Sequence, residues 1–250
     1  AHLVYLRSLG TIARQIHVHH NTLVRPPTVT QANRFTNKNE SFVLYFYSKY
    51  NVEAKKLSFY HNTVKAVHFA GFVIAADIFN DTIIDDSLVY ENSLEALIDC
   101  FAYKLLVEGK LYVTNMLSYN NNIRALIAYA SYVDATISAS FHNSTFKNEY
   151  MFGIEYATGT ILAVNCPAFN LTDSNFFNVT IASAQTARGA LNTNNVNMMV
   201  IKNCNFENNI CSSNNIVPDA SGCAIHAKLG GSMQLLESQF THNIGHVDGG

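Results

Sequence analysis

In the C-terminal half of the chain, apolar and polar positions recur in columns about 30 residues apart. Phe146, Phe176, Phe206 and Phe240 serve as anchors, at spacings of 30, 30 and 34 residues. Two positions before each anchor stand Ser144, Ser174, Cys204 and Ser238. Five before stand Phe141, Leu171, Ile201 and Leu235, and seven before stand Ala139, Phe169, Met199 and Met233. Between these small or apolar columns lie polar ones: Asn143, Asp173, Asn203 and Glu237 three before the anchor, and Asn148, Asn178, Asn208 and His242 two after it.

Side chains alternate faces along a strand, so positions −7 and −5 share one face, and positions −2 and 0 share a face in a second short strand. The phase shift between them falls on the −3 column. Asn and Asp suit such a bend because they tolerate left-handed backbone and bond to neighbouring peptide groups. The pattern therefore predicts an all-β solenoid, a right-handed parallel β-helix with about 30 residues per coil. Successive coils would lie about 4.8 Å apart and stack like on like.

The expected core stack is Phe59, Tyr119, Phe146, Phe176, Phe206 and Phe240. The expected ladder and turn residues are Asn62, Asn122, Asn143, Asp173, Asn203, Asn209 and Asn243, with Asn143 expected to be buried at its corner. Upstream, Val52, Ala54, Leu57, Phe59 and Asn62 match the columns in phase, whereas Leu117, Tyr119 and Asn122 match them in part. Gly189 and Gly222 precede apolar residues and are expected to supply positive φ at a further corner. Residues 1–42 read as N-terminal strands and a loop, either a cap or a preceding coil. Residues 43–250 read as the solenoid, cut at its C-terminal end.

Composition narrows the partners. An apolar content of 48% with 14% charged residues indicates a folded chain, and the net charge of −2 without a basic stripe excludes nucleic acid as an expected partner. The stretch from Ala66 to Ala76 contains His68 and is about half the length of a membrane helix, so membrane insertion is not expected. The 29 Asn residues, with abundant Ser and Thr, suit an extracellular surface. Asn170, Asn178, Asn80, Asn39 and Asn143 each begin an Asn-x-Ser/Thr triplet and are glycan candidates, Asn170 foremost because it lies between inward columns.

Phe206-Glu-Asn-Asn209, Phe240-Thr-His-Asn243 and Gly222-Cys-Ala-Ile225 resemble the Phe-x-x-Asn and Gly-Gly-Ala-Ile repeats of chlamydial polymorphic outer membrane proteins and related pectin-lyase-like β-helices. The resemblance spans roughly residues 50 to 250. It implies a secreted or surface-exposed passenger of stacked coils, adhesive in role, with no cofactor. This chain departs from the pattern at Gly222-Cys223, at the single Gly189, and where Glu149 and Val179 replace Asn.

Catalytic chemistry is poorly represented. Glycoside hydrolysis needs two carboxylates at one bond, and Asp81, Asp85, Asp86 and Asp173 fall on expected turns at unrelated positions in the coil. His17, His19 and His20, like His242 with His246, could ligate a metal but lack companions, so no metal, cofactor or catalytic residue is assigned. Cys204 sits in a Ser column and reads as inert packing, although Cys204, Cys211 and Cys223 are disulfide candidates whose pairing the sequence leaves open. The segments Thr186 to Arg188 and Ser212 to Ala220 read as variable loops of one recognition face.

The expected function is thus a non-catalytic structural or adhesive segment of a larger secreted or cell-surface glycoprotein, forming a rod or a fibre. Its expected partners are protein, either same-chain continuation or end-to-end self-assembly, and glycans. The alternative is a carbohydrate-binding or carbohydrate-active β-helix of the lyase or hydrolase kind.

Overall fold

Corners set the shape of this chain. Residues Gln15, Lys56, Asp86, Asn115, Asn143, Asp173, Asn203 and Glu237 all have φ near +50°, as do His20, His61, Glu91, Asn120, Asn148, Asn178, Asn208 and His242. These two sets bracket eight three-residue strands, one corner before each strand and one after it. The left-handed conformation costs a non-glycine residue about 1–2 kcal/mol, and least for Asn and Asp, whose side chains bond locally. From Asn115 onward Asn occupies most of these positions; before it Gln, Lys, His and Glu do, and the corner chemistry is correspondingly less visible in the sequence.

The computed structural model describes residues 2–8, 11–24, 40–48, 52–66, 69–76, 81–96, 99–213 and 219–247. Among them every strand pairing is parallel and no helix occurs: the chain is a β-solenoid whose strands repeat at about 30-residue spacing. The short strands form one sheet, from His17–His19 through Ser58–Tyr60, Leu88–Tyr90, Leu117–Tyr119, Thr145–Lys147, Asn175–Phe177 and Asn205–Glu207 to Gln239–Thr241. The other strands join into a 23-stranded sheet that wraps the remaining sides. Register is uniform, with Ala139 beside Phe169 and Phe169 beside Met199, and likewise Phe146 beside Phe176 and Phe176 beside Phe206.

The N-terminal strands are part of the same winding. His17–His19 pairs with Ser58–Tyr60, and Thr11–Arg14 pairs with Val52–Lys55.

Inward residues of the short strands stack. The rings of Phe146, Phe176, Phe206 and Phe240 lie 4.7–5.1 Å apart with interplanar angles of 2–18°. The first three are fully buried, whereas Phe240 in the last winding is 43% exposed. Phe59 is buried lower in the same column. Burying a Phe side chain contributes about 1.5–3 kcal/mol, and the aromatic pairing adds about 0.5–1.5 kcal/mol.

Beside this column, three positions after each anchor, runs an internal amide ladder. The backbone N–H and Nδ2 of Asn62 both donate to Oδ1 of Asn92, at 3.1 and 3.0 Å, and those of Asn92 donate likewise to Asn121. Asn21 joins below, and Asn209 with Asn243 repeats the motif above. Each Oδ1 thus accepts from the backbone N–H of the ladder residue in the winding before it, a donor that would otherwise be buried without a partner.

Several expectations need correction. Tyr119 does not stack in the core; Ser118 points inward in its place and Tyr119 faces outward. The ladder residue is Asn121, buried, with Asn122 beginning the next strand. Asn143 is exposed, because an αL corner directs its side chain outward, where Nδ2 donates to Oδ1 of Asn115 at 2.7 Å. Asp173 and Asn203 form the same outer ladder. Of these two glycines Gly222 alone has positive φ, at +59°; at Gly189 a Cβ would come within 2.3 Å of the Gly222 carbonyl oxygen, so close stacking excludes a side chain. Thr186–Arg188 is not a loop but a strand paired with Asp219–Ser221.

Candidate functional site

The short strands place alternate residues on their outer surface, and in the first four windings that surface is aromatic. His19 stacks on Tyr60 at 4.8 Å, Tyr60 on Tyr90 at 4.8 Å, and Tyr90 on Tyr119 at 4.7 Å, with interplanar angles of 2–10°. Nζ of Lys147 caps the ridge 5.2 Å from the Tyr119 ring centre. Sheet register does this: these residues are directly paired neighbours, so their rings are held one rung apart.

The ring faces are engaged with one another, which leaves edges and phenolic hydroxyls to solvent. Loss of solvent around the ridge raises the Tyr90 and Tyr119 phenols above their usual value, so these hydroxyls stay protonated as donors and acceptors. Along one flank the corner residues add imidazoles and a carboxylate. Nδ1 of His19 lies 2.8 Å from Nδ1 of His20, the His20 and His61 rings are 4.9 Å apart, and Nδ1 of His61 is 3.0 Å from Oε2 of Glu91. This arrangement can hydrogen-bond an extended polar ligand along one line and pair with a charge at its flank. His17 lies on the same strand as His19 and is exposed. Among the described residues no group of three His, Cys, Asp or Glu is placed to hold a metal.

The other nominated residues lie apart. Asp85 accepts hydrogen bonds from Thr114 Oγ1 at 2.6 Å and Asn115 Nδ2 at 3.0 Å; the Thr114 bond holds its carboxyl below the usual range. Asp86 is the exposed corner beside it, and Asp81 is exposed before that strand. Asp173 is three rungs away and faces Nδ1 of His142 at 3.2 Å. His242 is a corner residue of the last winding and His246 is exposed nearby. Asn178 is an exposed corner with Nδ2 3.2 Å from Asn148 Oδ1, and Asn170 is half-buried. Asn39 and Asn80 lie outside the described residues, as do 214–218 of the second expected recognition segment.

Two features escaped the sequence reading. The ridge was signalled by aromatics one position after the anchors, at Tyr60 and Tyr90, in phase with Tyr119. Glu149 was visible as a departure from Asn, but it is a fully buried carboxylate in the ladder column. It accepts from Ser118 Oγ at 2.6 Å and from the Asn121 backbone and Nδ2 at 3.2 and 3.0 Å. Burial pushes its carboxyl up to about 7, against the opposing pull of those three donors. No protein family, curated protein or solved structure matches this chain.

Proposed function

We propose that the chain is a stiff, non-catalytic segment of a larger secreted or cell-surface glycoprotein and that the Tyr–His ridge is its adhesive face. The supporting observation is the unbroken parallel register of the short-strand sheet from His17 to Thr241, which fixes surface side chains one rung apart along a straight line. A solenoid of this kind transmits position without a hinge, since each winding contacts only its neighbours. The short Phe-x-x-Asn motifs favour kinship with the repeats of chlamydial polymorphic outer membrane proteins, and the Asn-rich exterior with its sequons favours a glycosylated, extracellular setting.

The exposed line of phenolic hydroxyls favours one further reading, a glycan as the ligand held by adhesion. Binding of the purified chain to cell surfaces and to a glycan array tests both. Adhesion should fall at least tenfold in a Tyr60→Ser/Tyr90→Ser/Tyr119→Ser variant and survive Phe177→Ser. Equal loss in both variants, or cleavage of polysaccharide that disappears with Asp85→Asn, would overturn the proposal.

A further inference from the structure

Of the oxidisable side chains, the five cysteines are buried free thiols, the disulfide candidates Cys204, Cys211 and Cys223 among them, whereas a row of phenols faces outward. Tyr60, Tyr90 and Tyr119 are directly paired neighbours on successive short strands, and their rings stack 4.8 and 4.7 Å apart at interplanar angles of 2° and 6°. Near-parallel rings displaced by one rung put corresponding carbons about 4.8 Å apart as well, including those ortho to the hydroxyl. All three side chains are half-buried. His19 stacks below Tyr60 and Lys147 lies over Tyr119, and neither carries a phenol. Tyr129 and Tyr132 offer a contrast: their rings are 5.7 Å apart but tilted by 43°, and Tyr129 is buried.

We propose that the Tyr60–Tyr90–Tyr119 stack is a modification site at which hydrogen peroxide, acting through a haem peroxidase, joins neighbouring tyrosines into an intramolecular dityrosine. Each of two neighbouring phenols gives up one proton and one electron, leaving phenoxyl radicals whose unpaired density lies partly on the ortho carbons. Two ortho carbons pair to form one C–C bond. The hydrogen each carried leaves as a proton, and a proton returns to each oxygen, restoring two phenols. Overall two C–H bonds are lost, and the two protons and two electrons removed reduce one peroxide to two waters. Register supplies what the coupling needs, a partner held one rung away at an effective concentration far above that of another chain in dilute solution. Tyr60 and Tyr119 are two rungs apart, about 9.6 Å, and cannot couple with each other. Tyr90 therefore belongs to every bridge the stack can form, and each bridge clamps two successive windings together.

The test is exposure of the dilute 250-residue chain to hydrogen peroxide and a haem peroxidase, followed by dityrosine fluorescence, gel electrophoresis and peptide mass mapping. The expected product is a monomer lighter by two hydrogen atoms, with a 60–90 or a 90–119 cross-linked peptide. Tyr90→Phe keeps the stacked ring and two of the three phenols, yet it should lower the yield of monomeric dityrosine at least tenfold. Tyr60→Phe should leave the 90–119 bridge, Tyr119→Phe the 60–90 bridge, and Tyr132→Phe both. Dityrosine formed only between chains, a 60–119 or 129–132 bridge in place of these two, or a yield indifferent to Tyr90→Phe would overturn the proposal. Every outcome is read from mass and fluorescence, and none depends on whether the ridge adheres to anything.

Discussion

The lower and upper windings solve the same packing problem on opposite faces of one sheet. In the lower windings the inward position holds Val18, Phe59, Val89 and Ser118, and the stacked rings of His19, Tyr60, Tyr90 and Tyr119 stand outside. In the upper windings the stacked rings are inward, Phe146 to Phe240, and the outer neighbours become Lys147, Phe177, Glu207 and Thr241. The aromatic column changes face between Tyr119 and Phe146. At that junction the small Ser118 hydroxyl meets the Glu149 carboxyl, and the amide ladder stops, because the next position, Val179, has no side-chain acceptor. It resumes only at Asn209, whose Oδ1 accepts from the Val179 N–H at 3.1 Å. The winding therefore fixes which positions stack one rung apart, either face can carry the rings, and changing that face leaves a polar seam in the core.

Replacing one ring in each stack breaks the comparison most sharply. Phe176→Ala removes a fully buried side chain sandwiched between two rings and should cost about 3–5 kcal/mol. Tyr90→Ala removes an outer ring and should cost about 1 kcal/mol. Denaturant midpoints measure both, and equal losses would mean that the two faces are not distinct environments.

The seam itself should titrate. The Glu149 carboxyl is raised from 4.5 to about 7 in the folded chain, so between those values the folded state holds a proton that the unfolded state has released. Stability should therefore be complete below about pH 4.5, fall by about 3 kcal/mol as pH rises to 7, and remain level above. Glu149→Asn, which supplies the same acceptor as the other rungs without a charge, should remove that slope in thermal melts across this range. The exposed Glu91→Asn should leave it in place. A slope that persists in Glu149→Asn would assign the pH dependence elsewhere.

These contrasts also explain what could be read in advance. The upper windings announced themselves because the inward residue is Phe, the strongest apolar marker, and all corners but Glu237 and His242 are Asn or Asp. In the fourth winding the inward Ser118 carries no apolar signal while outward Tyr119 mimics a core aromatic, so the register slips by one residue. The run Asn120-Asn121-Asn122 conceals the slip, since each Asn suits a ladder equally well by type. In the structure Asn120 turns the corner, Asn121 fills the ladder and Asn122 starts a strand. Similarly, αL geometry at Asn143 was inferable from residue type, but its outward direction depends on the inward Ser144 that follows. The ridge was hidden for the same reason: outward and inward aromatics differ only in phase, and phase was anchored on the C-terminal Phe residues.

The account rests on one winding per repeat, whatever the sequence spacing. His20 and Asn208 are equivalent corner residues separated by six rungs, and His20 and Asn148 by four. Nitroxide labels on cysteines introduced at each pair, measured by pulsed electron spin resonance, should report separations of ~29 Å and ~19 Å respectively. The 41 residues between corners His20 and His61 should add one rung, no more than the 30 between Asn148 and Asn178. Separations far from these two values, or equal for the two pairs, would contradict the stacked winding.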